Sequence, residues 1–284
     1  MKHFLAAAML ALLLQGCSPA APLNLVAQDG TLNVERDIAY GSGPRAMLDV
    51  YAPPNAKNAP VVVFFYGGNW QSGARGDYRF VAAALARRGM VVVVPDYRLY
   101  PPARYRDFLA DGAHAVAWAK HNIAGYGGNT RRIVLMGHSA GAHIAAMLAL
   151  DGQWLAAEKL DPRKDLAGLV GIAGPYDFLP LKDENLKTIF ADSNMARTQP
   201  ITFVQGREAP ALLITGTGDS VVDPGNTTRL AAKMRTKGDR VEERLYPGVG
   251  HLTIVGAFSP LLRWVAPTLP DITAFVTQTP ASAS

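Results

Sequence analysis

The sequence contains a single cysteine, Cys17, close to its N-terminus. The rest of the chain can therefore form no disulfide, and it offers neither a cysteine nucleophile nor a cysteine-based metal site. Its stability must come from the packing of a hydrophobic core. A chain of 284 residues that is 49% hydrophobic can bury a large core, so we expect one α/β domain and do not need two.

Clustered positive charge is also lacking, although the formal net charge is +5. The basic residues are scattered, with only short pairs such as Arg87-Arg88 and Arg131-Arg132, and no basic run alternates with aromatic residues. Proteins that bind nucleic acids usually carry such a run or a basic stripe. We therefore expect no nucleic-acid partner.

The apolar run at the N-terminus, residues 4–14, is too short to span a bilayer as a helix. It follows Lys2 and His3, which is typical of a bacterial export signal. The segment resembles a lipoprotein signal, in which the cysteine is lipidated and becomes the first residue. Gln15 departs from this pattern, because a small or aliphatic residue is usual there.

We therefore expect an export signal over residues 1–16, a Pro/Ala-rich tether over 17–30 and one folded domain over 31–284, whose function the motifs below address. Lipidation of Cys17 would anchor the protein to a membrane of the bacterial cell envelope, and Ser18 after it favours the outer membrane. The alternative is ordinary signal cleavage near residues 18–20, which would leave a periplasmic or secreted protein.

Strands and helices alternate along the rest of the chain. Continuous apolar runs typical of buried parallel strands and periodic segments typical of helices follow one another, which predicts a mostly parallel sheet with helices on both faces. A segment of mixed character, Gly174 to Pro210, is too long for a simple crossover and predicts a small cap. The predicted strands are 34–40, 46–51 (a hairpin with the first), 61–66, 90–94, 133–136, 166–173, 211–215 and 241–246, and the main helices are 78–88, 105–123 and 224–237.

Ser139 lies between Gly137 and Gly141, directly after the apolar run Ile133 to Met136 and before a helix of small residues. A serine in such a strand-to-helix turn has a strained backbone, and glycine at both flanks removes Cβ atoms that would clash. The turn raises the hydroxyl above the sheet, with the positive end of the helix beneath it. The pattern predicts a nucleophile; a serine that merely begins a helix is the alternative.

A serine hydroxyl needs a positioned imidazole to take its proton. Of the six histidines, only His251 lies in a glycine-rich loop after a late strand. We therefore predict that His251 is the base, with a surface or locally bonded histidine as the alternative. The other histidines lie in the signal, on the helix 105–123 or beside the serine: His3, His114, His121, His138 and His143.

A carboxylate at the end of the preceding strand should hold this imidazole in one tautomer. Asp219 follows the strand 211–215 and a glycine-rich turn, whereas Asp223 precedes Pro224, where it can cap the next helix. We predict that Asp219 is the acid and keep Asp223 as the competitor.

Acyl transfer also needs hydrogen-bond donors for the developing oxyanion. Gly67 and Gly68 follow the strand 61–66 and can bring backbone N–H groups close to the substrate. The N–H of Ala140, just after the nucleophile, would complete the oxyanion hole. A plain loop is the alternative for the two glycines.

These motifs, in this order, give the chain a resemblance to α/β-hydrolase serine esterases of the hormone-sensitive-lipase-like, feruloyl/acetyl-esterase-like and kynurenine-formamidase-like group. Nucleophile, acid and base also occur in the α/β-hydrolase order. Tyr66 stands where the family usually has histidine, a side chain that orders the loop. The resembling segments are Tyr66 to Trp70, Asp96 to Leu99, Gly137 to Gly141, Gly216 to Asp219 and Gly250-His251.

The resemblance implies an α/β-hydrolase fold and a metal-independent serine carboxylester hydrolase that forms an acyl-enzyme on Ser139 and needs no cofactor. We expect a small-molecule ester with a short acyl chain or an aryl group as the substrate. Trp70 and Tyr100 are expected to add aromatic surface to its binding site. In the cap, an apolar wall of the binding site is expected from Phe178, Leu179, Leu181, Ile189 and Phe190. A polar outer face is expected from Lys182, Asp183, Glu184 and Lys187.

Two alternatives stay open. An amidase, formamidase or peptidase could use the same three residues, and a non-catalytic lipoprotein could use the fold to bind a ligand or a partner. The oligomeric state does not follow from the sequence.

Overall fold

The computed structural model of the chain describes residues 20–27 and 29–283. The predicted signal and Cys17 lie outside these residues, so the predictions of an export signal and of lipidation stay predictions.

Eight strands form one sheet. They are β1 Asn33–Ala39, β2 Met47–Ala52, β3 Ala59–Phe65, β4 Val91–Pro95, β5 Gly128–His138, β6 Gly168–Ile172, β7 Ala211–Gly216 and β8 Val241–Tyr246. Their order in the sheet is β1-β2-β4-β3-β5-β6-β7-β8. The pairs β1–β2 and β2–β4 are antiparallel, and every other pair is parallel.

The helices are α1 Ala21–Leu25, α2 Arg79–Ala86, α3 Tyr105–Asn122, α4 Ala140–Leu150, α5 Gln153–Ala156, α6 Pro162–Asp165, α7 Glu184–Ile189, α8 Gly225–Thr236, α9 His251–Gly256 and α10 Thr268–Gln278. Helix α4 packs on β5, β6 and α3, while α2 packs on β4 and α10. The two groups of helices cover the two faces of the sheet, as the alternation of elements predicts.

The centre of the sheet is buried because its strands consist of apolar residues. Every residue of β4, β6 and β7 is buried, and Val61 to Phe65 of β3 are fully inaccessible. All eleven residues of α4 are buried as well, because their mostly small side chains let the helix lie between the sheet and α3. This core brings the carboxyl ends of β3, β5 and β7 to one edge of the sheet, where a site is expected in an open α/β sheet.

The structure differs from the sequence-based expectations at several elements. Helix α1 lies within the predicted tether and contacts α2, and His251 begins a short helix instead of lying in a loop. Strand β5 begins earlier than expected, at Gly128, and α10 has no counterpart among the predicted elements. The predicted cap, residues 174–210, contains the short helix α7 and two 3-10 turns.

No helix in the described part of the chain, residues 20–27 and 29–283, is both long and apolar enough to cross a membrane.

Candidate active site

Ser139 occupies the sharp turn between β5 and α4 with a backbone φ of 55° and ψ of −123°. A positive φ is unfavourable for a residue with a side chain, and such strain persists only where the surroundings enforce it. A Cβ on Gly137 would lie 2.1 Å from the carbonyl oxygen of Gly141, and one on Gly141 would lie 2.0 Å from that of Phe65. Both glycines are therefore required by close backbone approach, as predicted.

The three residues predicted for catalysis lie together at the carboxyl edge of the sheet. The Ser139 hydroxyl is 2.9 Å from Nε2 of His251, and Nδ1 of His251 is 2.7 Å from Oδ2 of Asp219. A carboxylate can only accept, so Nδ1 carries the proton and Nε2 is free to accept the hydroxyl hydrogen. The backbone N–H groups of Val221 and Val222 donate to Oδ1 of Asp219, each at 2.9 Å, and orient the carboxylate.

Asp223, the competing carboxylate, lies at the start of α8. Its Oδ1 accepts from the N–H of Gly225 at 3.0 Å, and its Oδ2 pairs with Arg229 at 3.2 Å. The hydrogen bond from Gly225, together with Arg229, lowers the pKa of Asp223. These contacts match the helix-starting role weighed for Asp223, and Asp219 is the carboxylate at the imidazole.

The loop after β3 passes directly over Ser139. A Cβ on Gly67 would lie 3.0 Å from the Cβ of Ser139, and Gly68 has a φ of 138° that only glycine adopts readily. Within residues 20–27 and 29–283, the N–H groups of Gly68 and Asn69 donate to no backbone carbonyl. Burial raises the pKa of the Tyr78 hydroxyl to about 12, and a hydrogen bond from the Gly67 backbone acts in the opposite direction.

Asn69 was not predicted as a site residue. It has a φ of 54°, and it lines the cavities on both sides of Ser139. The positive φ of a non-glycine residue beside a glycine pair could not be read from the sequence. We call residues 66–70 the oxyanion loop.

Tyr66 supports the oxyanion loop from below. Its buried hydroxyl donates to Oδ1 of Asp96 at 2.8 Å and accepts from Arg45 at 2.7 Å. Burial raises the pKa of Tyr66 well above its ordinary value, so the hydroxyl stays protonated. Its ring stacks on that of Tyr97 with centroids 4.7 Å apart. These contacts of Tyr66 match the loop-ordering role expected for the side chain at this position.

Asp96 connects this support to the rest of the domain. It accepts from the N–H of Arg75 at 2.8 Å and forms an ion pair with the Arg75 guanidinium, which also pairs with Asp37 and, at 2.7 Å, with Asp49. Asp49 and Asp96 are buried. The loop therefore rests on a network of charged residues from distant parts of the sequence, which we call the Asp96 network.

Two buried histidines flank the nucleophile. His138 donates from Nε2 to the carbonyl oxygen of His251 at 3.0 Å, and burial, with the proximity of His251, lowers its pKa to about 3. His143 donates from Nε2 to the carbonyl oxygen of Thr198 at 2.9 Å, and burial lowers its pKa to about 4. Both rings are therefore weak bases that stay neutral at neutral pH, and the Nε2 atom of each is bonded to a backbone carbonyl, so neither takes the serine proton in place of His251.

Two cavities meet at Ser139. The cap-side cavity, 520 Å³, lies under the cap and is lined by Trp70, Phe178 and Leu181, with Lys182 and Arg229 among its polar residues. The helix-side cavity, 530 Å³, lies between the oxyanion loop and α9. Its lining includes Gly67, Gly68, His138, His251, Leu252 and Leu23. An ester centred on Ser139 can therefore extend in both directions.

The predicted cap residues take different positions. Leu179 and Asp183 also line the cap-side cavity, whereas Ile189 and Phe190 are completely buried behind it. Glu184 and Lys187 form an exposed ion pair on the outer face.

Of the two aromatic residues predicted to contact the substrate, Trp70 lines a cavity and Tyr100 does not. Trp70 is buried and packs edge-on against Phe190 with centroids 4.7 Å apart. Tyr100 lies in neither lining and is attached through its N–H to the carbonyl oxygen of Trp70 at 2.9 Å. The prediction that Tyr100 contacts the substrate therefore has no support in the geometry.

Among residues 20–27 and 29–283, no group of three or more histidine, cysteine, aspartate or glutamate side chains is arranged to hold a metal ion.

Comparison with known sequences identifies related proteins. The family model BD-FAE matches residues 48–234, about two thirds of the chain. A probable isoprenylcysteine alpha-carbonyl methylesterase of Oryza sativa subsp. japonica is 31% identical over 239 residues, covering 76% of this chain and 56% of that protein. Esterase LipC of Mycobacterium tuberculosis is 30% identical over 237 residues, covering 76% of this chain and 59% of that protein. The chain thus spans little more than half the length of these relatives.

Solved structures share the fold. Esterase 2 of Thermogutta terrifontis superposes with a TM-score of 0.74 at 24% identity, covering 90% of this chain and 98% of that one. An esterase of Pyrobaculum calidifontis superposes with a TM-score of 0.76 at 23% identity, covering 90% and 89%. The match of the family model over residues 48–234 and the shared α/β-hydrolase fold together place the chain: it belongs to the BD-FAE family.

Proposed function

We propose that the protein is a serine carboxylester hydrolase that acts on short-chain or aryl esters through an acyl-enzyme on Ser139. The observation that carries the proposal is the continuous hydrogen-bond chain from the Ser139 hydroxyl through His251 to Asp219, placed where two cavities meet. Similarity to proteins named esterases supports the same reaction class.

In the first half-reaction, Oγ of Ser139 attacks the ester carbonyl carbon while Nε2 of His251 takes the hydroxyl proton. The carbonyl π electrons move to oxygen, and this oxyanion accepts from backbone N–H groups of the oxyanion loop and of Ala140. When the tetrahedral intermediate collapses, the C–O bond to the alcohol breaks and His251 returns the proton to the leaving oxygen. Asp219 stabilises the imidazolium throughout.

In the second half-reaction, water replaces the alcohol. His251 takes a proton from the water, whose oxygen attacks the acyl carbon. On collapse the bond between this carbon and Oγ of Ser139 breaks, His251 returns the proton to Oγ, and the carboxylic acid leaves. Neither half-reaction as written uses a cofactor. His138 and His143 hydrogen-bond to backbone carbonyls, so His251, whose Nε2 faces the Ser139 hydroxyl, is the imidazole that moves protons.

We expect the cap to limit the length of the acyl chain. The cap insertion is short, and Trp70 and Phe178 close the cap-side cavity with their rings, 6.3 Å apart between centroids. Each methylene of the acyl chain that is buried against apolar surface contributes about 0.8 kcal/mol to binding. A methylene beyond the wall of the cavity finds no such surface and contributes nothing. The kcat/KM for p-nitrophenyl esters should therefore rise from acetate to butyrate and fall by octanoate.

The test is turnover of this ester series by the wild type, with and without a serine-directed phosphonate, and by Ser139→Ala. Turnover that the phosphonate abolishes, and that Ser139→Ala lacks, supports the proposal. Turnover of anilides in preference to esters would indicate an amidase. A rise through laurate with activation at an oil–water interface would indicate a lipase.

We also propose that Cys17 carries lipid and anchors the enzyme to the cell envelope, with Ser18 favouring the outer membrane. The position of the lone cysteine after a short apolar run supports this. Two or more acyl chains give stable anchoring, whereas one chain is marginal. Membrane fractionation and labelling with a radioactive fatty acid should detect the wild type but not Cys17→Ser. Recovery of unlabelled wild type wholly in the soluble fraction would refute anchoring.

A further inference from the structure

We propose that helix α1 forms the outer wall of the half of the cleft that receives the alcohol group of the ester, and so determines which alcohols are accepted. This inference rests on the proposed esterase function. It gives a segment of the predicted tether a direct part in substrate selection.

The direction of the substrate follows from the proton that the leaving oxygen must receive. A general acid has to be within hydrogen-bond reach of the atom it protonates. His251 lines the helix-side cavity and is absent from the lining of the cap-side cavity. The alcohol group therefore extends into the helix-side cavity, and the acyl group is left with the cap-side cavity.

Helix α1 supplies part of the helix-side wall. Leu23, with Ala20 just before the helix, lines this cavity together with Leu252 and Val255 of α9. Leu23 is partly buried against the core, whereas Leu25, two residues further on, is 85% exposed. One side of α1 therefore faces the cavity and the other faces solvent.

The side chain of Asn24 holds α1 in this position. Its Nδ2 donates to the carbonyl oxygens of Gly76 at 2.9 Å and Asp77 at 3.0 Å, and its Oδ1 accepts from the N–H of Phe80 at 3.0 Å. Asn can do this because its amide both donates and accepts. A helix of five residues is not stable alone, so these contacts place α1 against the cavity.

The composition of the wall identifies the alcohol. Leu23, Phe80, Leu252 and Val255 present apolar surface, and the polar side chains of Asp77 and Ser72 in the same lining already have partners within the protein. The carboxylate of Asp77 accepts from the N–H of Ala74 at 3.0 Å, and the Ser72 hydroxyl donates to Gly68 at 3.2 Å. A cavity of 530 Å³ with such walls fits an aryl or cyclic alcohol, whereas a methyl group leaves most of it unfilled.

The test varies the two halves of the ester separately. One series consists of acetates of methanol, phenol and 2-naphthol, and the other consists of p-nitrophenyl esters from acetate to octanoate. Leu23→Ala should lower kcat/KM for 2-naphthyl acetate about fivefold to tenfold relative to methyl acetate, because contact with the ring is lost. The order of preference in the acyl series should not change.

All acetates form the same acetyl-enzyme, which provides a further readout. The alcohol has left before deacylation, so the rate of acetyl-enzyme hydrolysis after the burst should be the same in Leu23→Ala and the wild type. Leu25→Ala, on the solvent side of the same helix, is the matched control and should change neither series. Leu181→Ala, in the cap-side wall, should change the acyl series and leave the alcohol series alone.

Leu23→Val removes less side chain and gives a second variant if Leu23→Ala folds poorly; it should change the alcohol series in the same direction. An equal effect of both Leu23 variants on the two series, or no effect on the alcohol series, would overturn the role of α1 while the enzyme remains an esterase. A wild type that hydrolyses neither series would overturn the proposed function and this inference together.

Discussion

Ser139 and the oxyanion loop face the same cleft, but different forces hold them in place. Around Ser139, backbone segments approach so closely that no Cβ fits at Gly137 or Gly141, and apolar residues fill the remaining space. Next to the oxyanion loop, by contrast, the ion pair of Asp96 and Arg75 is the centre of a network of charged residues, and Asp96 accepts a hydrogen bond from Tyr66 of the loop. One half of the site depends on packing and the other on electrostatics.

The difference has a consequence for function. Packing around Ser139 tolerates loss of the hydroxyl, because removing one oxygen leaves the backbone geometry intact. The Asp96 network is different, since removing one buried charge leaves its partners uncompensated. Substitutions of the catalytic residues should therefore lower activity and leave stability nearly unchanged. Substitutions in the Asp96 network should lower both.

The largest effect is expected from the serine and the histidine. Ser139→Ala and His251→Ala should each lower kcat about 10³-fold or more, because the nucleophile or the base is missing. The midpoint of urea unfolding should stay close to that of the wild type. Full activity of either variant towards p-nitrophenyl butyrate would contradict the proposed mechanism.

The two carboxylates after β7 give the next comparison. Asp219→Asn should lower kcat about 10²-fold or more, because the amide cannot hold the His251 tautomer as the carboxylate does. Asp223→Asn is the matched control; it should leave kcat nearly unchanged and weaken only the start of α8. A larger loss of activity in Asp223→Asn would overturn the assignment of the acid.

The Asp96 network can be tested through stability. Asp96→Asn should lower the free energy of unfolding by about 3 kcal/mol, because Arg75 loses a buried counter-charge. Tyr66→Phe should lower it by about 1 to 2 kcal/mol, because a hydrogen bond to a charged group is lost. Both should also reduce kcat/KM by displacing the oxyanion loop.

Arg36→Ala is the control for this pair of variants. Its partner is Asp29 at 3.0 Å, and the Arg36 side chain is 46% exposed, so the effect should stay below about 1 kcal/mol. Chemical unfolding and p-nitrophenyl butyrate turnover measure both quantities. An Asp96→Asn variant as stable as Arg36→Ala would show that packing alone holds the loop.

The same contrast explains what could be predicted from the sequence. The turn at Ser139 is specified by a run of five residues, and the buried strands β3 and β4 are continuous apolar segments, so both could be located. His251 and Asp219 followed from their positions after late strands. These features depend on local sequence.

The features that escaped prediction depend on contacts between distant residues. Arg75 pairs with Asp37, Asp49 and Asp96, which belong to three other segments of the chain. No local sequence pattern indicates that these charges meet. Helix α1 lies in a Pro/Ala-rich segment and is placed by hydrogen bonds between Asn24 and residues more than 50 positions away. Tertiary contacts decide such elements, and local propensity does not.

At neutral pH the smallest effect among the proposed active-site variants is expected at His143, which joins the helix behind Ser139 to the cap through Thr198. Burial lowers the pKa of His143 to about 4, whereas the unfolded chain has an ordinary histidine pKa near 6.5. Below about pH 6.5 the unfolded state therefore binds more protons than the folded state. The stabilising contribution of the neutral ring is complete above this pH and is lost as the pH falls towards 4.

His143→Phe removes this titration while retaining a ring beside Trp70, Phe178 and Phe190. At pH 7 the variant should be less stable by about 1 kcal/mol, because Thr198 loses its donor. Between pH 6.5 and 4, however, the free energy of unfolding should fall less in the variant than in the wild type. The difference between the two falls should be at most about 3 kcal/mol. Urea unfolding at several pH values measures the slope, with the exposed His121→Gln as the control. Equal slopes in the wild type and His143→Phe would show that His143 does not link the cap to acid stability.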